Sequence, residues 1–419
     1  MISCYKRISL SPDTTYTVIT DEKFKTNTWK VRFYIPIDKI NPSAVSIASD
    51  IIVSCNSEYR TMSDIYSKLN TLYGADIYSS TAKRGDILSV TVSANTIDEA
   101  FALNNEKLNI ETVNLLLDCI FSPYVKDGKF DEEIFEIKKR DLLDSILSEI
   151  NDKRKYIFLK ANEQIYKNEP AGIFLYGSYE DAQKITAKEA LDTWNYLLEN
   201  SAKEIYFVGP KQIENIDEII QKAFSSDSKN KNIIFNTPSP AKSEPIEVTE
   251  ELDVSQSKIV MAYKSDNQDR YSMRLMNMIL GGLPSSKLFR NVREKQSLCY
   301  YCQSSYSVSK QTLLIDCGVE KDNIEKAKQA ISEQIKAIQS GDISESEINS
   351  ALISIDNSLK GHGDVPSSYT NWYSECFCMN DYITPEESMK RYHEITKDMI
   401  CKASLSLKPD TVYILKPKS

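Results

Sequence analysis

The sequence predicts an α+β protein of two tandem homologous domains, each an antiparallel sheet covered by helices. Three observations lead there. Residues 225–243 are rich in Ser, Asn, Lys and Pro, carry no amphipathic period, and read as a linker. The segments on either side repeat one order of elements: helix, hairpin, helix, helix. Within each repeat the apolar residues switch between helical spacing and strict alternation. The expected division is therefore 1–224, a linker 225–243, and 244–419. At roughly 100–200 residues per domain, 419 residues hold material for two to four domains.

In the first half, Met62, Ile65, Tyr66, Leu69, Leu72 and Tyr73 recur at helical spacing. Thr61 and Asp64 form a capping box at its start, and Gly74 is the stop. Next, Leu88, Val90 and Val92 alternate with Ser89, Thr91 and Ser93 after the turn Lys83-Arg84-Gly85-Asp86, which predicts a hairpin with one wet face. A later helix spans Phe130 to Ile146. The second half follows the same order. PSSKLFRNVREKQS is a short helix, and a hairpin turns at Ser309-Lys310-Gln311. A helix from Asp322 to Ser340 stops at Gly341, and a last one opens with the capping box Ser344-x-x-Glu347 and carries Ile348, Leu352, Ile355 and Leu359.

Composition removes several function classes. Apolar residues make up 41% of the chain, too many for general disorder. A formal charge of −9, from 51 Lys+Arg against 60 Asp+Glu, argues against nucleic acid as the main partner. No apolar run approaches a membrane span of about 18 residues, so no membrane partner is expected. The opening MISCYKRISLSPDTTYTV has no apolar core of a secretory signal, so a cytoplasmic location with reduced thiols is expected. Nine cysteines are spread along the chain. Cys299-x-x-Cys302 has the spacing of a metal or redox motif, but it lies in a strand, SLCYYCQSSYSV. Positions i and i+3 of a regular strand face opposite sides. Buried, inert thiols are expected there and at Cys376-x-Cys378.

The most restrictive count is two histidines, His362 and His393. They lie in unrelated segments, which excludes any mechanism built on a neighbouring histidine pair. His362 is expected in a loop and His393 solvated on a charged helix. No Ser/His or Cys/His constellation suggests a nucleophile.

One stretch is more specific. Gly281-Gly282-Leu283-Pro284-Ser285-Ser286-Lys287-Leu288-Phe289 is followed by Val292-Arg293-Glu294-Lys295, Leu298 and Tyr300-Tyr301. It resembles the C-terminal domain of the insulinase/pitrilysin metallopeptidase family, whose pattern is two glycines, a small pair, Leu-Phe, Arg-Glu-Lys, and a Tyr seven residues past the Arg. Trp372-Tyr373, Thr384-Pro385-Glu386-Glu387 and Asp410-Thr411-Val412-Tyr413 fit the family's tail. Lys23-Phe24-Lys25-Thr26 and Leu72-Tyr73-Gly74-Ala75 resemble the short, two-domain bacterial branch. The resemblance implies half of a peptidase clamshell, with two such chains closing around a peptide chamber. It also implies that Arg293 and Tyr300 donate hydrogen bonds to the substrate carbonyl and to the oxyanion forming on it. Gly281 and Gly282 are candidate substrate contacts. Simpler accounts stand beside these: a cation at a helix end, one strand tyrosine among 24, a helix C-cap, and an N-cap at Ser285-Ser286.

The family's zinc motif, His-x-x-Glu-His, is missing. It places two imidazoles on one helix face and uses the Glu as general base. The corresponding positions fall at Ile47-Ala48-Ser49-Asp50-Ile51, so both ligands are Ile and the base is a shortened acid. The distal Glu position falls near Ile137, with Glu136 adjacent and two lysines following. No histidine precedes His362, so no shift of alignment restores the site. The chain is expected to hold no metal or cofactor. It is expected to serve as the non-catalytic subunit of a heterodimer whose zinc lies in a paralogous partner, with a peptide as substrate. The alternative is a homodimeric peptide-binding or scaffold protein without peptidase activity.

Overall fold

Residues 4–225 and 231–418 are described by a computed structural model. Residues 226–230 of the expected linker lie outside them. Among the described residues thirteen strands form in chain order: β1 (Cys4–Ser11), β2 (Thr14–Thr20), β3 (Thr26–Pro36), β4 (Asp76–Arg84), β5 (Ile87–Ile97), the short β6 (Val125–Lys126) and β7 (Lys129–Phe130), β8 (Ala202–Gly209), β9 (Ile246–Leu252), β10 (Ser257–Lys264), β11 (Cys299–Ser307), β12 (Thr312–Val319) and β13 (Lys408–Pro417). They build a six-stranded sheet, β1-β2-β8-β3-β5-β4, and a five-stranded sheet, β11-β12-β10-β13-β9. Helices cover both, so the class is α+β. Among the described residues no helix is long and apolar enough to cross a membrane.

The repeat is visible in the strand order. Read from β4, the first sheet runs β4-β5-β3-β8-β2; read from β11, the second runs β11-β12-β10-β13-β9. The antiparallel expectation needs one correction, at the same place in each sheet: β2 pairs with β8 in parallel, and β9 with β13 in parallel. Strand composition reports burial, not pairing direction, and the distant partner is supplied by the whole intervening chain.

The local elements form for the reasons the sequence suggested. The helix Met62–Thr71 starts at the Thr61/Asp64 capping box. Gly74, at φ +72°, takes the left-handed conformation that ends it. The helix Glu345–Lys360 starts at the Ser344/Glu347 box. The hairpins close where the turns were expected, with Arg84 opposite Ile87 and Ser307 opposite Thr312.

The chain separates into two compact units that are not its two sequence halves. One comprises Met1–Ser148, Ile173–Phe235 and Gly363–Cys378; the other comprises Glu149–Gly172, Asn236–His362 and Met379–Ser419. Each half thus gives a helix to the other half's sheet. In the second unit, Ile157, Ala161 and Ile165 of the helix Lys153–Ile165 pack on Val260, Ala262, Tyr413 and Leu415 of β10 and β13. In the first unit, Tyr369, Tyr373 and Cys376 of the helix Pro366–Met379 pack on Ile19, Tyr206 and Val208. The stretch after residue 230 has no regular structure but is pinned. Phe235 packs edge-on to Tyr34 at 5.1 Å in the first unit. In the second, Thr237 N donates to Ser309 O at 3.0 Å and the Lys242 amine to Asp410 at 2.8 Å.

β11 carries a bulge. Cys299 sits opposite Val319, but Tyr301 sits opposite Gly318, so two steps on β11 match one on β12. Tyr300 is the extra residue. The bulge overturns the expectation that Cys299 and Cys302 face opposite sides, because one inserted residue converts i, i+3 into same-face positions.

Candidate functional site

The helix Pro42–Ile52 holds the positions of the missing zinc motif. Asn41 caps it, its side chain accepting from the Ser43 and Ala44 backbone N–H groups, with Pro42 in the first turn. Ile47 and Ile51 are fully buried in the core. Asp50 is half-buried and opens onto a cavity of about 220 Å³ shared with Tyr66, Tyr78, Ser79 and Lys138. Ser79 Oγ donates to Asp50 Oδ1 at 2.6 Å. Burial raises the Asp50 pKa, while the Ser79 hydrogen bond and the Lys138 charge pull the other way.

The distal position resolves in the same terms. Of residues 136–138, Glu136 is exposed, Ile137 lines a neighbouring hollow with Arg60 and Tyr124, and Lys138 enters the cavity of Asp50. Where the catalytic ion would need nitrogen and oxygen donors, the helix and its neighbour offer two hydrocarbons, one carboxylate and one ammonium. These residues do not fit a catalytic zinc, which takes neutral imidazole and carboxylate ligands.

The second unit holds the other expected residues. The helix Arg270–Asn277 continues into a wider turn, Met278–Gly282, and Leu288–Lys295 is a second segment of that kind. Ser286, just before the latter, accepts from Phe289 N at 3.4 Å. Gly281 is buried, and a Cβ there would stand 2.6 Å from Ser304 N and 2.7 Å from Leu288 Cδ1. Close approach of β11 therefore accounts for a glycine at position 281. Gly281→Ala is expected to lower stability by about 1–3 kcal/mol through overpacking. Gly282→Ala should cost much less, since its tightest neighbour is the flexible Met278 sulphur at 3.0 Å. Thermal unfolding of the two variants checks the contrast.

Arg293 is exposed, and its guanidinium lies 4.4 Å from the centre of the Phe289 ring. Tyr300, 52% exposed, points outward because it is the bulged residue. Its hydroxyl donates to Glu320, which raises the phenol pKa and keeps it protonated, a donor, at neutral pH. Arg293 and Tyr300 are held by different partners, Phe289 and Glu320. The Cys299 thiol is pulled down to about 4 by hydrogen bonds from Cys302 and Cys317 and by the Arg293 charge. The three sulphurs lie within 4.8 Å of one another.

The other thiols behave as the sequence suggested. None of the nine forms a disulfide, and burial pushes Cys55 up to about 11 and Cys119 and Cys378 to about 12. His362 contacts Ser358 O at 2.8 Å. His393, expected to be solvated, reaches the Asp356 carboxylate at 3.0 Å.

Two features escape sequence reasoning: Lys138 beside Asp50, and the convergence of Cys299, Cys302 and Cys317. The second had a partial signal. Counting back from Ser307 opposite Thr312 puts Cys302 opposite Cys317. Nothing in the sequence announces the bulge that adds Cys299.

Residues 184–354 match the family profile described as the Peptidase M16 inactive domain. Over 403 residues the chain is 27% identical to a Bacillus subtilis (strain 168) protein described as "Probable inactive metalloprotease YmfF", covering 95% of each. In structure it is similar to a conserved protein from Enterococcus faecalis V583, with a TM-score of 0.92, 24% identity and 99% of each chain covered. It is also similar to a peptidase M16 inactive domain from Pseudomonas fluorescens, with a TM-score of 0.80, 15% identity, and 99% and 98% of the two chains covered.

Proposed function

We propose that this chain, an inactive M16-metalloprotease-like protein, is the non-catalytic subunit of a two-chain zinc peptidase. It would supply Arg293 and Tyr300 to the active site of a partner that carries the zinc motif. The observation that carries this reading is an asymmetry. The helix Pro42–Ile52 offers no imidazole to a metal, with Ile47 and Ile51 buried in the core. Arg293 and Tyr300 remain exposed, which neither needs to be for its own fold.

The chemistry follows from donor type. A guanidinium presents several N–H groups and stays charged, and a protonated phenol presents one O–H. Aimed at a scissile carbonyl, they stabilise the oxyanion more than the ground state. The partner's zinc would supply the Lewis acid and the activated water. Tyr300 lies on β11, an edge of the five-stranded sheet, and Asp50 adjoins β4, an edge of the six-stranded one. Either edge has free main-chain groups that an extended peptide can pair with.

The test is co-purification with a zinc-motif chain, followed by peptidase assays of each chain alone and of the mixture. Cleavage is expected only from the mixture. Peptide cleavage by this chain alone overturns the proposal, as does a mixture no faster than the partner by itself. Self-association with peptide binding and no response to the partner would point to the homodimeric binding protein instead.

A further inference from the structure

We propose that Cys299, Cys302 and Cys317 form a binding site for one thiophilic d10 cation, Zn2+ or Cu+, in the second unit and independent of the zinc-motif helix. The three Sγ atoms already lie within 4.8 Å of one another. Thiolates about 2.3 Å from a common Zn2+ stand about 4 Å apart. Binding thus needs only a small contraction of the sulphur separations.

The arrangement is built by the sheet. Cys302 faces Cys317 across a regular antiparallel pair, and the bulge at Tyr300 turns Cys299 to their side. Sites carried on strands hold their geometry better than sites on loops. Cys317 is fully buried, Cys302 is 4% exposed, and Cys299 is partly exposed. The first two anchor the ion, and the third gives it an entry path and an open coordination position. Among the described residues no His, Asp or Glu completes the group, so the donor set is purely thiolate. Such a set selects Cu+ and Zn2+ over Mg2+, Ca2+ and Mn2+. Whichever ligating thiols still carry a proton surrender it to solvent on binding, and the resulting anionic complex sits beside the Arg293 cation. No electron transfer is involved.

The full chain, reduced and freed of metal with a chelator, is titrated anaerobically with Zn2+ and with Cu+ against chromophoric competitors. Co2+ serves as a spectroscopic stand-in for Zn2+. One equivalent per chain is expected for one of the two ions. Preference for Cu+ identifies a three-coordinate site. Preference for Zn2+, with a thiolate-to-cobalt charge-transfer band that shifts on adding a small thiol, identifies a four-coordinate site with one exchangeable position. Cys299→Ser, at the most exposed ligand, should abolish the equivalent, while Cys4→Ser, in the other unit, should keep it. A measurement on the unaltered chain covers the case of a misfolded variant: the bound ion should protect Cys299 from alkylation, read by mass spectrometry. Absence of one-equivalent binding by both ions, equal binding by Cys299→Ser, or alkylation of Cys299 unaffected by either ion overturns the proposal.

Discussion

Arg293→Ala is expected to lower kcat of the assembled two-chain peptidase by about 10²–10³-fold, the usual cost of removing one oxyanion donor. KM should change little, and kcat and kcat/KM should fall together, because the interaction is strongest in the transition state. Assembly and unfolding temperature should be unaffected. The side chain is exposed and packs on the Phe289 ring, an exposed-site contact of about 0.5–1 kcal/mol. Arg293→Lys should recover part of the rate, since an ammonium keeps the charge but loses the planar fork of donors. Tyr300→Phe should give a smaller loss in the same direction, a neutral donor being weaker than a charged one. Steady-state kinetics with gel filtration of each complex checks all three. An Arg293→Ala complex with unchanged kcat would remove the residue from the chemistry.

Lys264→Met should make the chain more stable at neutral pH, by about 3 kcal/mol at most. Lys264 is 1% exposed, and its amine has no hydrogen-bond partner. It sits 4.0 Å from the centre of the Tyr166 ring. Burial pulls its pKa down from the ordinary 10.5 to about 8; Asp410 and Glu169 favour the charge and Lys242 and Lys310 oppose it. Between those two values the folded chain binds fewer protons than the unfolded chain, so stability rises with pH through that window. Below pH 8 the whole penalty is present, and about 1.4 kcal/mol per pH unit gives its size. A methionine of similar length fills the space without an amine to desolvate, at the loss of the contact with Tyr166. The advantage of the variant should therefore be largest at pH 7 and shrink toward zero near pH 10.5. Urea unfolding of both proteins at the two pH values measures it. A variant less stable than the parent at pH 7, with no narrowing at high pH, would show that the ring contact outweighs the burial of the charge.

Helices and hairpins were legible because their signals are short-range. A capping box such as Thr61/Asp64 acts over three residues, and a turn such as Ser309-Lys310-Gln311 sets the register of the strands it joins. The exchanged helices were not legible. Lys153–Ile165 and Pro366–Met379 carry apolar faces that say only that they are covered. Which sheet covers them depends on where the chain crosses between units, and no local pattern records that. Lys138 belongs to the same class. Its position three residues before Asp141 is a helical fact, but its approach to Asp50 depends on how two helices far apart in sequence are packed.

By itself the sequence determined that this chain has no zinc motif of its own, because a count of two histidines, both late in the chain, holds in any fold. It also determined the α+β class, since periodicity is a property of neighbours. Only the tertiary structure decided what surrounds the vacated positions and what the cysteines do together. One extra residue in β11 reverses the side to which every later residue points, so a single bulge aims Tyr300 at solvent and brings three thiols to one place.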